Sequence, residues 1–174
     1  QDEQTVSARC GEADVRVAYR DGAQRTMLGG EDVSDLIRTG EVSAAASAIS
    51  KWPAVRRRMV AAQREIAATA DMLIDGRDIG TRVLIDAPVK IFLTATPEER
   101  ARRRYRQQIE KGDMTPYEQV LAELNARDAQ DMNRETDPLR QAEDAVLVDS
   151  TNMTPEQVVD AIIAVVEDVY GKRA

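Results

Sequence analysis

An α/β fold with parallel strands is expected from three observations on this 174-residue sequence. Short apolar runs at 72–74, 89–93 and 145–148 alternate with longer stretches of helical periodicity, the order that builds a parallel sheet flanked by helices. Three helix starts share one device, Thr96-Pro97, Thr115-Pro116 and Thr154-Pro155, with Thr as cap and Pro in the first turn. Near the beginning, Val15, Val17 and Tyr19 alternate with Arg16, Ala18 and Arg20, the period of a half-buried strand.

In chain order, that first strand runs into Asp21-Gly22, a hairpin turn, and a second strand follows near 25–28. This antiparallel hairpin is read as an insertion in the parallel architecture. Gly29-Gly30 closes it, and residues 31–50, rich in Ala and Ser, read as short helical pieces. Pro53 suits a first helical position, and Val55, Met59, Ala62 and Ile66 make one apolar stripe, so a helix is expected over 53–70. The run 72–74 is the first strand of the core present here, and it leads straight into a turn at Asp75-Gly76-Arg77-Asp78. In open α/β sheets the ligand crevice lies beyond such strand ends. Glu99, Glu118 and Gln157 stand three residues after the three Thr caps and predict capping boxes. The last helix carries Val158, Val159, Ile162, Ile163, Val166 and Val169 on one broad face and stops at Gly171.

Composition narrows the chemistry. The net charge of −7 argues against a protein built to coat nucleic acid or an anionic membrane. Its cations are nevertheless twenty Arg and only four Lys, and Arg is the side chain whose planar fork grips phosphate. Histidine is absent and Cys10 is the single cysteine, which removes histidine catalysis, internal disulfides and most zinc schemes, and fits a reduced cytoplasmic setting. No apolar run approaches the roughly 18 residues that cross a bilayer, and no signal-peptide region opens the chain. The chain begins with Gln1, as a fragment would.

Four constellations could carry function. Asp75-Gly76-Arg77-Asp78-Ile79-Gly80-Thr81 places two carboxylates around an Arg, able to hold a cation, a phosphate and a base edge, or to form an ordinary turn. Arg127, Asp131 and Arg134, spaced four and three, share one face of the helix starting at Pro116. That face is either a salt-bridge ladder or a grip on a sugar hydroxyl and a phosphate. Arg100, Arg102, Arg103, Arg104 and Arg106 surround one helix and read as a mobile anion clamp, or as an RNA contact. Arg56-Arg57-Arg58 with Ser47 is the least specific group. The pattern G-x-x-x-x-G-K-[ST] of a phosphate loop is absent from the 174 residues.

Together, Gly30-Glu31-Asp32-Val33-Ser34, Ile37-Arg38-Thr39, Asp75 to Thr81, Asp86 to Leu93, and Arg127-Asp128 through Asn133-Arg134 resemble the bacterial cytidylate kinases, from about Asp14 onward. The resemblance implies a P-loop-kinase-like parallel sheet in a single domain: a CMP-binding insertion at about 9–50, an α/β core at 51–95 and 115–174, and a lid at about 96–114. It implies that the first core strand and the ATP phosphate loop lie upstream of this chain, leaving a fragment that binds CMP but is catalytically incomplete. By the same resemblance Ser47, Arg56 and Asp78 read cytosine, and Arg127 and Asp131 hold the sugar. Arg77 and Arg134 grip the CMP phosphate, Arg103 and Arg104 contact ATP from the lid, and Asp75 reaches Mg²⁺ through water. The implied activity is phosphoryl transfer from ATP to CMP or dCMP by a cytoplasmic monomer without nucleic-acid or membrane partners. A nucleotide-binding module without phosphoryl transfer and an Arg-rich RNA-binding protein are the alternatives.

Overall fold

The computed structural model describes residues 2–171, and the chain divides after Ile74 into two compact units. In the first, α1 (Glu3–Glu12) precedes the hairpin of β1 (Val15–Arg20) and β2 (Ala23–Leu28), and β3 (Glu31–Asp32) adds a short third antiparallel strand. Register follows the turn: Arg20 faces Ala23 and Val15 faces Leu28. Asp21 and Gly22 have φ of 52° and 73°, the left-handed pair that a two-residue turn needs to match strand twist. A single 3₁₀ turn at Leu36–Arg38, then α2 (Gly40–Ile49) and α3 (Pro53–Ala67), complete this unit. α3 buries Val55, Val60 and Ala62 and ends three residues short of the expected 53–70. There Thr69 Oγ1 donates to the Ile66 carbonyl and draws the chain out of the helix. α1 carries no strong periodic signal and escaped the sequence reading, and the helical pieces expected over 31–50 begin only at Leu36, because Glu31 and Asp32 pair with β2 as a strand.

The second unit contains the parallel pair β4 (Ile91–Thr94) and β5 (Val146–Asp149), with α4 (Pro97–Glu110), α5 (Tyr117–Asn133) and α6 (Pro155–Tyr170). The expected α/β class is therefore present, with parallel strands joined through helices and a separate antiparallel hairpin. The apolar run 72–74 forms no strand, and Leu73 is 91% exposed. A run this short takes strand conformation from a ladder partner, and among the described residues the parallel sheet consists of β4 and β5 alone.

Two of the three expected capping boxes do not form. Thr154 accepts from the Gln157 N–H while the Gln157 side chain accepts from the Thr154 N–H, a complete box. Thr96 caps the Glu99 N–H, but the Glu99 carboxylate turns to Arg102 and Arg103, and Thr151 Oγ1 accepts from the Thr96 N–H instead. At Thr115 the cap is lost altogether, because its N–H and hydroxyl both donate to Asp113 and α5 starts one residue later, after Pro116. The broad apolar face of α6 is only partly covered, with Val159 and Ile163 exposed.

Candidate functional site

The turn after Ile74 begins with Asp75, an exposed carboxylate, and Gly76, where a Cβ would fall 2.8 Å from the Ile79 side chain. Close approach explains the glycine. From Asp78 the chain enters one π-helical turn, Ile79–Val83, in which the Arg82 and Val83 N–H groups both donate to the Asp78 carbonyl. Val83 is buried and anchors the turn, so the Asp78 side chain, 7% exposed, is held on a fixed frame.

Two ion pairs join this turn to the end of α5. Arg77 Nε donates to Asp131 Oδ2 at 2.9 Å, and Arg134 Nη2 lies 3.7 Å from Asp78 Oδ1. Arg134 was expected on the helical face of Arg127 and Asp131, but α5 ends at Asn133 and Arg134 is extended, with φ −64° and ψ 142°. It reaches Asp78 from outside the helix. Its Nε donates to the carbonyl of Asp137, a residue in the left-handed region at φ 50°, and Asp137 also faces Arg82 at 3.4 Å. The Leu139 N–H, donating to the Asp131 carbonyl at 2.8 Å, closes the loop behind them. Arg82 and Asp137 were not found by sequence reading. They stand 55 positions apart, by the difference of their numbers, and nothing local links them.

The arrangement pairs Arg77 with Asp131, Arg82 with Asp137 and Arg134 with Asp78, three charges of each sign. Arg77 spends only Nε on Asp131, and its side chain is 45% exposed. Both Nη groups thus remain available to a second acceptor while the fork is held in place. A phosphate oxygen pair is the acceptor that best matches such a fork. Arg127, one turn before Asp131, is exposed.

The remaining expected residues fall elsewhere. Ser47, half-buried on α2, and Arg56, half-buried on α3, belong to the first unit. The five-Arg run on α4 is largely neutralised by local carboxylates rather than waiting bare for an anion. Arg100 pairs with Asp128 at 2.7 Å, and Arg102 and Arg103 both pair with Glu99. Arg103 additionally donates to the Ser150 carbonyl at 2.6 Å and to Ser150 Oγ at 3.1 Å, fastening α4 to the end of β5. Arg104 and Arg106 are exposed. A cleft of about 380 Å³ after β5, lined by Asp149, Thr151, Asn152, Met153 and Gln157, includes none of the expected site residues.

Arg103, and after it Arg102, hold the Glu99 carboxyl below its ordinary value of 4.5. A lowered folded-state value contributes stability above the unfolded value, and that contribution is lost as pH falls through the folded value. Urea midpoints measured from pH 6 downward are therefore expected to fall below about pH 4.5, and Glu99→Gln is expected to flatten that part of the profile. A Glu99→Gln profile parallel to wild type would remove the pairing as its cause.

Among the described residues no three His, Cys, Asp or Glu side chains converge as a metal site, and no helix is long and apolar enough to cross a membrane. Mg²⁺ keeps several waters and takes one or two carboxylates beside substrate phosphates. Asp75 fits a single such contact and supplies no cage.

The model of the cytidylate kinase family matches residues 1–168. Among curated proteins, the cytidylate kinase of Syntrophotalea carbinolica is 44% identical over 167 residues, 96% of this chain and 71% of the relative. That of Caldicellulosiruptor saccharolyticus is 47% identical over 91% of this chain and 70% of its own length. That of Mycobacterium avium is 53% identical over 84% of this chain and 64% of its own length. The chain thus spans about two thirds of the length of the relatives it matches.

Proposed function

Since the chain belongs to the cytidylate kinase family, we propose that it serves transfer of the ATP γ-phosphoryl group to CMP or dCMP, giving CDP or dCDP in pyrimidine nucleotide metabolism. The observation that carries the reading is Arg77, fixed through Nε by Asp131 with both Nη groups left over. Phosphoryl transfer asks little covalent chemistry of the protein, so placing phosphates and neutralising their charge is most of the task. A chain without histidine is equipped for that.

In this reading Arg77 and Arg134 grip the CMP phosphate, and Arg127 and Asp131 hold the sugar. Asp78 reads cytosine, its carboxylate accepting from the exocyclic amino group beside the ring nitrogen, which is itself an acceptor. Uracil reverses the polarity at two of those positions and leaves buried groups unpaired. Arg104, and Arg103 once released from Ser150, contact ATP from the α4 side. Asp75 would hold the hydration shell of a Mg²⁺ ion, which would supply charge neutralisation to the phosphates. The protein acts as a cytoplasmic monomer on free nucleotides.

A binding module without phosphoryl transfer is the second reading, favoured by the absence of a Gly-Lys phosphate loop from these 174 residues. Calorimetric titration of the 174-residue chain with CMP, UMP and single-stranded RNA tests both. CMP binding with a shallow salt dependence is expected. RNA binding that weakens steeply with salt, and no CMP binding, would overturn the nucleotide reading. In an ADP-release assay the 174-residue chain is expected to give no turnover on its own. Measurable turnover would show that its residues supply the donor site by other means.

A further inference from the structure

Outside the arginine and aspartate cluster, the ionisable side chain whose burial most needs a reason is Lys90. It is 7% exposed, and a buried ammonium is costly unless paired and hydrogen-bonded. Nζ donates to the Ile85 carbonyl and to Asp144 Oδ2, each at 2.5 Å. The aliphatic stem lies against Gly80, where an added Cβ would stand 3.3 Å from Lys90 Cδ and 3.6 Å from Cγ. The Lys90 carbonyl accepts from the Val146 N–H at 2.9 Å, which fixes its main chain at the start of the parallel ladder. One residue, rooted in the sheet, thus supports the Ile79–Val83 turn at Gly80 and holds the exit of that turn at Ile85.

That turn opens at Asp78, whose carboxylate stands 3.7 Å from Arg134. At this separation a few tenths of an ångström decide whether the pair hydrogen-bonds. We infer that Lys90 is a positioning residue for base discrimination: it sets the place of Asp78 by clamping the turn that Asp78 begins. The inference rests on the assignment of Asp78 to cytosine. Lys supplies what the position requires, an apolar stem to pack on Gly80 and a compact ammonium to reach two acceptors.

The two sides of the contact can be cut separately. Lys90→Met keeps the stem and removes both hydrogen bonds, whereas Gly80→Ala keeps the bonds and displaces the stem. CMP and UMP affinities by calorimetry and amide hydrogen exchange over 78–85 are measured on the 174-residue chain and both variants. Each variant is expected to speed exchange over 78–85 about tenfold while α6 exchanges at the wild-type rate. Each is also expected to lower the preference for CMP over UMP about fivefold. Unchanged exchange and preference overturn the inference and leave the CMP reading standing. Faster exchange with unchanged preference makes Lys90 a structural anchor only and overturns it too. If wild type binds neither nucleotide, the base assignment fails, and with it the role proposed for Lys90. Should Lys90→Met not fold, Gly80→Ala carries the comparison, since the Lys90 ammonium and its acceptors Ile85 and Asp144 all remain in the chain.

Discussion

Replacing Asp78 by Ala is expected to cost about 3 kcal/mol of stability and to abolish the preference for CMP over UMP, two losses with one origin. Asp78 and Arg134 have side chains 7% and 15% exposed. Removing one partner of such a pair leaves the other charge in a medium that solvates it poorly, a change that typically costs about 3–5 kcal/mol. The 3.7 Å separation, and the bond Arg134 keeps to the Asp137 carbonyl, place this case at the lower end. Asp78→Asn separates the two effects. The amide retains size and can still accept from Arg134, so the stability loss should be smaller. Its NH₂ group can donate to the uracil carbonyl, so the preference should move toward UMP rather than simply disappear. Urea midpoints give the first quantity and paired CMP and UMP titrations the second. An Asp78→Ala chain with the wild-type preference ratio would remove Asp78 from base reading, even if its stability fell as expected.

What the sequence made legible was set by how far apart the deciding atoms are. The Asp21-Gly22 hairpin and the Thr154 to Gln157 box are decided by residues within a few positions of one another, and both formed as read. The Thr115 cap failed because Asp113, two residues upstream, offered the same hydroxyl and N–H a better acceptor. Glu99 abandoned its box for Arg102 and Arg103, a contest among neighbours in which charge outweighed a neutral N–H. Residues 72–74 had the composition of a strand, but a strand is a property of two segments, and propensity alone does not supply the second. The site divides in the same way. Arg77, Asp78, Asp131 and Arg134 could be singled out by type and spacing. That Arg77 faces Asp131 and Arg134 faces Asp78 could not, since each contact spans more than fifty residues. Arg134 left the helical face assigned to it because α5 stops at Asn133. The left-handed Asp137 and the Lys90 clamp left no sequence signal beyond ordinary residue types.

Asp131→Asn should show the opposite balance, with stability within about 1 kcal/mol of wild type and CMP affinity lower by about 10- to 100-fold. The pair of Arg77 and Asp131 is partly open to water, with Arg77 45% exposed, and such pairs contribute about 0–1 kcal/mol to folding. Binding is different, because one carboxylate is given two tasks there. It orients the Arg77 fork through Nε, and in the proposed complex it also accepts a sugar hydroxyl, a charge-assisted bond worth about 1.5–3 kcal/mol. A double-mutant cycle with Arg77→Ala resolves the two. If orienting Arg77 is the whole of its role, Arg77→Ala alone should weaken CMP as much as the double variant does. If the hydroxyl contact matters independently, the double variant should bind more weakly than either single one, and cytidine, which lacks the phosphate, should still respond to Asp131→Asn. An Asp131→Asn chain with wild-type affinity for both CMP and cytidine would reduce the pair to a surface salt bridge. The Arg77 fork, the observation on which the functional reading rests, would then have to find its geometry elsewhere.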